Sequence, residues 1–168
     1  QMRGVAKSIN FGLIYGMGAR KLAETINVSN KEAKEFIEKY FESFPTVKQF
    51  LNAQKELVRK RGFVETLLGR RRFFNFGEVN SFMASNYERE AVNTIFQGSA
   101  SDLIKLAMLK IEKLNNNDMI LQIHDELIFE SNNLENIQQY KQIMEDIFKL
   151  DVPLRVDINK GKRWGELK

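Results

Sequence analysis

Residues 3–16 read RGVAKSINFGLIYG, with Arg3, Lys7, Phe11 and Tyr15 recurring at every fourth position. A four-residue step advances about 400° around an α-helix, so these side chains form one slowly drifting stripe. Two cations followed by two aromatics suit a ligand with phosphates at one end and flat rings at the other. A guanidinium and an ammonium meet phosphate oxygens, and an aromatic face stacks on a sugar or base. The next stripe, Gly4, Ser8, Gly12 and Gly16, is uniformly small and leaves room for something bulky or close. Each glycine costs roughly 1 kcal/mol against alanine in a helix interior, so several in one helix need a reason. Taken alone, the spacing equally describes a solvated charge pair beside two core aromatics.

Outward from this helix the periodicity stays helical. Gly16-Met17-Gly18 breaks it and a short helix over Ala19–Ile26 follows. Ser29 with Glu32 is a capping-box signature. It opens a helix with Ala33, Phe36, Ile37, Tyr40, Phe41 and Phe44 on one face. Pro45 starts another, with Val47, Phe50, Leu51, Leu57 and Val58 inward and Gly62 as its stop. Residues 63–68 and 71–74 read as a hairpin turning at Gly69. A long helix begins at Ser81 or Tyr87 and reaches Leu114, with Ala91, Ile95, Leu103, Ala107 and Ile111 as core positions. Asn115–Asp118 is a turn, and strands over 119–123 and 127–130 flank His124-Asp125-Glu126. A helix over 134–150 and an alternating strand over 152–159 end the chain. The order predicts an α+β fold: a helical lobe over about 1–62, then a small antiparallel sheet backed by helices.

At 168 residues the chain is one domain in size, large enough for a real core. It has no cysteine, which excludes disulfides and thiolate metal sites. No apolar run approaches the roughly 20 residues of a bilayer span, so no membrane partner is expected. The net charge of +4 tolerates a polyanionic partner and fits a mildly basic surface equally well.

Three further groups carry chemistry. His124, Asp125 and Glu126 at a strand tip offer hard oxygen ligands to a cation such as magnesium. Successive strand residues point to opposite faces, so one carboxylate is the expected ligand; a plain acidic turn is the alternative. Arg89, Asn93 and Gln97, again four apart, present a guanidinium and two amides fit for base edges and sugars, or an ordinary polar face. Arg70-Arg71-Arg72 beside Phe73 and Phe74 make a basic turn, for phosphates or simply for solvent.

Together the segments resemble the C-terminal part of a family A DNA polymerase of the bacterial polymerase I type. RGVAKSINFGLIYG is similar to motif B, and LQIHDELIFE to motif C with its His-Asp-Glu tripeptide between two apolar strands. ETLLGRRR and REAVNTIFQGSASDLIK resemble the connecting segments in the same order. The likeness runs from Arg3 to the terminal strand. It implies fingers over 1–75, with a nucleotide-binding helix at 3–16, and the C-terminal part of a palm over 76–168, with the motif C hairpin at 119–130.

The resemblance also implies roles. Arg3 and Lys7 would bind the phosphates of an incoming deoxynucleoside triphosphate, Phe11 would pack on its sugar and base, and Tyr15 would sit near the templating base. Arg89, Asn93 and Gln97 would touch primer–template DNA, and Gln122 and His124 the primer end. Asp125 would be the metal-binding carboxylate for two Mg2+ ions, with Glu126 an auxiliary acid; Asp125, Lys7 and Glu126 would be the catalytic set. Phenylalanine at position 11 implies discrimination against dideoxynucleotides. The implied activity is template-directed DNA synthesis in replication and repair, in the bacterial cytoplasm or an organelle. Motif A, with the second metal-bridging aspartate, and the thumb have no counterpart in these residues. The chain is therefore expected to be a fragment, inactive without the upstream part of the polymerase. A non-catalytic DNA-binding module on the same fold, or a phosphohydrolase using His124, Asp125 and Glu126, are the competing readings.

Overall fold

The computed structural model describes residues 2–114 and 118–167, with side chains described from residue 4 onward. By packing, the chain forms two compact units, residues 1–98 and 99–168.

In the first unit, α1 (Met2–Ile14), α2 (Ala19–Ile26), α3 (Asn30–Ser43) and α4 (Pro45–Arg61) follow one another. α1 ends in a Schellman turn: Met17 N–H donates to Gly12 O at 2.7 Å and Gly16 N–H to Leu13 O at 3.1 Å, with Gly16 at φ +86°. The expected capping box is present, since Glu32 N–H donates to Ser29 Oγ and Ser29 N–H to Glu32 Oε2. Those bonds, the Ser29 side chain first and its backbone second, hold the Glu32 carboxyl below its usual range. Pro45 opens α4 and Gly62, at φ +73°, closes it. Arg59, Lys60 and Arg61 lie in the last turn, where the helix dipole favours cations.

Leu13, Leu22 and Ala33 are buried at the centre of α1–α3, with Ile9, Met17 and Ile37 packed around them. A second cluster, Val58, Val64, Phe74 and Ala91, joins α4 to the hairpin and to α5 (Ser81–Asn93). That hairpin is β1 (Phe63–Glu65) with β2 (Arg71–Phe73), in antiparallel register Val64↔Arg72. β1 stops at Glu65 rather than Leu68, because Thr66 and Gly69 form the turn: Gly69 N–H donates to Thr66 O, and Gly69 sits at φ +79°. Phe36, Phe44 and Phe50 are exposed, contrary to their apolar patterning.

The expected long helix is present in three pieces. α5 runs into a π turn over Thr94–Gly98, and α6 (Ser99–Glu112) continues it. In the second unit, β3 (Met119–Ile123) pairs antiparallel with β4 (Glu126–Phe129), with a bulge between Met119 and Leu121. α7 (Leu134–Glu145) is shorter than expected and packs its end, through Ile143, Met144 and the buried Ile147, against Leu103 and Ala107 of α6. The turn at 115–118 lies mostly outside the described residues. The expected strand over 152–159 does not form. Its burial alternates, with Leu154, Val156 and Ile158 half-buried between exposed neighbours. Val156 N–H instead donates to the Glu145 carboxylate at 2.9 Å, and among the described residues no strand offers it a ladder. The α+β class holds, with two separate two-stranded ladders among the described residues.

Candidate functional site

The stripe on α1 forms as its spacing requires. Phe11 and Tyr15 stack with ring centroids 6.2 Å apart and planes 22° from parallel, and the Lys7 ammonium lies 5.8 Å from the Phe11 ring centroid. Lys7 and Phe11 are exposed and Tyr15 is half-buried. The cation and both rings are therefore one continuous surface, and the bland alternative of core aromatics fails at Phe11, which is 45% exposed. Arg3 lies one helical turn upstream in α1, its side chain outside the described part.

The small stripe beside it now has causes. A Cβ at Gly12 would meet Met17 Cε at 2.2 Å, because the Schellman turn folds Met17 back over it. A Cβ at Gly16 would meet Arg89 Cγ at 2.9 Å. Gly16 thus serves twice, supplying positive φ for the reversal after Tyr15 and admitting the Arg89 stem from α5. Gly4 faces open space and needs no partner.

That contact brings together residues far apart in sequence. Tyr15, Gly16 and Arg89 share the wall of a cavity of about 210 Å³ with Lys48, Asn52 and Lys55 of α4. Arg89 also donates to the Asn86 side chain. Asn93, four residues on, holds a buried Oδ1 with no hydrogen-bond partner among the described residues. A buried acceptor left open costs about 1–3 kcal/mol, so a ligand donor there would relieve it. Gln97 is exposed but lies within the π turn, where i→i+5 bonding winds the chain more slowly than an α-helix. The even drift of Arg89, Asn93 and Gln97 is therefore broken between the last two.

The basic turn has a structural role. Arg71 pairs with Glu65 at 2.8 Å, and Arg72 pairs with Glu90 and donates to Thr94 Oγ1 at 3.0 Å. Arg70 donates to Gly98 O at 3.2 Å. Arg70 and Arg72 lash the hairpin to α5 and the π turn, while Arg71 ties its two strands together. Gly98 permits the approach, since a Cβ there would meet Thr66 Cγ2 at 2.9 Å.

In the second unit, His124 and Asp125 form a two-residue turn, because Glu126 already pairs with Ile123 as the first residue of β4. His124 takes the left-handed conformation at φ +53°, uncommon for a residue with a side chain. The Gln122 amide donates to His124 O at 3.0 Å and braces the turn. His124, Asp125 and Glu126 are all exposed at this tip. No group of three or more His, Cys, Asp or Glu side chains is poised to hold a metal among the described residues. Asp125 and Glu126 are hard oxygen donors, and magnesium is commonly held by one or two carboxylates together with substrate phosphates and water. The donor set fits that ion as one part of its shell.

Sequence reasoning missed Lys48, Asn52 and Lys55. Their i, i+4, i+7 spacing marks one face of α4 and was open to view, but attention to the apolar face of that helix hid it. Among the described residues no helix is long and apolar enough to cross a membrane.

Comparison with known proteins identifies the family. The model of DNA polymerase family A matches residues 1–166. A DNA polymerase I of Helicobacter pylori is 51% identical over 176 residues, taking in 100% of this chain and 20% of that protein. A thermostable DNA polymerase I of Thermus filiformis is 41% identical over 175 residues, covering 100% of this chain and 21% of the relative. The solved POL domain of Pol1 from M. smegmatis, in complex with DNA primer-template and dNTP, matches with a TM-score of 0.90 at 34% identity, over 98% of this chain and 31% of that one. The chain spans about a fifth of the length of the curated relatives it matches. On the match of its whole length, this chain belongs to family A of the DNA polymerases.

Proposed function

We propose that this chain is the part of a DNA-directed DNA polymerase that grips the incoming nucleotide and the primer end, with fingers over 1–75 and the C-terminal palm over 76–168. The observation that carries the reading is the line of Lys7, Phe11 and Tyr15 on α1, exposed at the first two and half-buried at the third, cation first and stacked rings after. Arg3 and Lys7 take the triphosphate, Phe11 packs on the sugar and base, and Tyr15 borders the templating base. Arg89 and the open acceptor of Asn93 meet the duplex, with Gln97 on the π turn beside them. Gln122 and His124 hold the primer terminus, Asp125 is the metal ligand and Glu126 an acid beside it.

In the reaction the primer 3′-hydroxyl gives up its proton to solvent, its oxygen bonds to the α-phosphorus, the bond from that phosphorus to the bridging oxygen breaks, and pyrophosphate leaves. Magnesium, when bound at Asp125, supplies Lewis-acid stabilisation of the reacting and leaving oxygens. In this reading Lys7 offsets the negative charge that builds on the leaving phosphates and gives them a proton. The second acidic strand and the thumb come from the upstream part of the polymerase.

Template-directed incorporation by the complete polymerase tests this. Asp125→Ala is expected to abolish incorporation while leaving primer–template binding in place. Undiminished incorporation by that variant would remove Asp125 from the metal site. If the unmodified polymerase bound DNA without incorporating nucleotides, the chain would be a binding module instead.

A further inference from the structure

The π turn over Thr94–Gly98 is gripped at both ends by the hairpin. Arg72 Nη1 donates to Thr94 Oγ1 at 3.0 Å, on the first residue of the turn, and Arg70 Nη2 donates to Gly98 O at 3.2 Å, on its last. Arg72 also pairs with Glu90, and Thr94 Oγ1 in turn donates to Glu90 O at 2.8 Å. Guanidinium, carboxylate and hydroxyl thus close one circuit where α5 passes into the turn. The hairpin is a firm anchor, because Val64 and Phe74 are buried against Val58 of α4 and Ala91 of α5. π turns are rare and an α-helix is the ordinary state of such a run, so something must hold the extra residue in place.

Two side chains feel the consequence. Asn93, whose buried Oδ1 has no hydrogen-bond partner among the described residues, stands directly before the turn, and Gln97 is exposed inside it. One extra residue in a helix swings the side chains at its far end by about 100° from where an unbroken α-helix would put them. The grip on the turn therefore sets the angle between Asn93 and Gln97. We infer that Arg70, Arg72 and Thr94 are positioning residues, holding the π turn so that Asn93 and Gln97 meet the primer–template duplex together. The inference rests on the polymerase reading above, which places Asn93 and Gln97 against DNA. Thr94 is only 9% exposed, so its hydroxyl acts through its neighbours and not on DNA. The Arg72 side chain is 49% exposed, and the experiment must separate its grip on the turn from a direct phosphate contact.

The test is the affinity of the complete polymerase for primer–template, measured with the KM for the incoming nucleotide. Thr94→Val keeps the shape and removes the hydroxyl. It is expected to weaken primer–template binding by about tenfold, the scale of one hydrogen bond to a charged group, and to leave the nucleotide KM unchanged. Thr94→Ser restores the hydroxyl and should restore the affinity. Arg72→Lys keeps the charge but cannot serve Glu90 and Thr94 with one fork, so it should bind as weakly as Thr94→Val. Arg72→Leu should leave the slope of log affinity against log salt unchanged; a slope reduced by about 0.9 would make Arg72 a phosphate contact and overturn its positioning role. In a polymerase already carrying Asn93→Ala and Gln97→Ala, Thr94→Val should have no further effect, because the groups it positions are gone. A tenfold loss in both backgrounds, or full affinity in Thr94→Val alone, would overturn the inference. Unweakened DNA binding by the Asn93→Ala, Gln97→Ala polymerase itself would overturn the placement of those two residues, and the inference with it.

Discussion

Phe11 and Gly16 show how single residues set the properties of the α1 surface proposed to meet the nucleotide. The Phe11 ring lies between the Lys7 ammonium and the Tyr15 ring, with its outer edge open to solvent. It can pack on a sugar but has no hydrogen-bonding atom. Phe11→Tyr adds one hydroxyl at that edge, able to replace a hydrogen bond that a sugar without a 3′-hydroxyl lacks. Dideoxynucleotide incorporation relative to deoxynucleotide incorporation should rise by at least about tenfold, the scale of a well-placed hydrogen bond at the reacting group. Competition between the two nucleotides in one extension assay measures it, and an unchanged ratio would count against the placement of Phe11. Gly16 is constrained differently, by its φ of +86° and by the Arg89 stem. Gly16→Ala should destabilise the protein by about 1 kcal/mol or more, since the native conformation is one that alanine adopts only under strain. Gly12→Ala should cost less, because the atom it meets is the mobile end of Met17. Thermal unfolding of the two variants side by side tests that order.

At the scale of elements, the helices were legible because their signals are local. Ser29 with Glu32, Pro45 with Gly62, and Gly16 after Tyr15 each mark an end by chemistry within a few residues. The π turn was not legible, since its extra residue per turn leaves no local signature in a run that is otherwise a good helix. The segment over 152–159 shows the opposite error: alternation describes which side chains are covered, but a strand also needs a partner for its backbone. The second unit has its own long-range tie. Asp118, at the foot of β3, accepts hydrogen bonds from Tyr140 at 2.9 Å and Asn136 at 3.3 Å of α7. Ser131 first, then Tyr140, and to a lesser degree Asn136 hold its carboxyl below the usual range. A depressed folded pKa means the unfolded chain binds the proton more readily. The stabilisation is thus full above the ordinary carboxylate value, about pH 4, and is lost as pH falls through the folded value. Asp118→Asn removes the titration, so acid unfolding followed by circular dichroism should lose part of its pH dependence below about pH 4. An unchanged acid profile would mean that the tie is not formed in solution.

For the whole molecule, the family was readable because four segments with distinct chemistry occur in one order, while any one of them alone had an ordinary explanation. What the sequence did not convey is how α4 and the π turn meet α1. Phe50 looked like a core residue by pattern, and its exposure follows from where α4 packs, which depends on contacts distant in the chain. The same is true of the arginines at 70–72, whose charge suggested a ligand until Glu65, Glu90 and Gly98 were placed beside them. The central claim is that the α1 stripe binds the incoming nucleotide, and Lys7 tests it most directly. Single-turnover incorporation by the complete polymerase carrying Lys7→Ala, measured with its affinity for primer–template, separates the chemical step from DNA binding. The account predicts a rate lowered by about 100-fold or more, the usual loss when one group stabilising transition-state charge is removed, with DNA affinity nearly unchanged. An undiminished incorporation rate would contradict it.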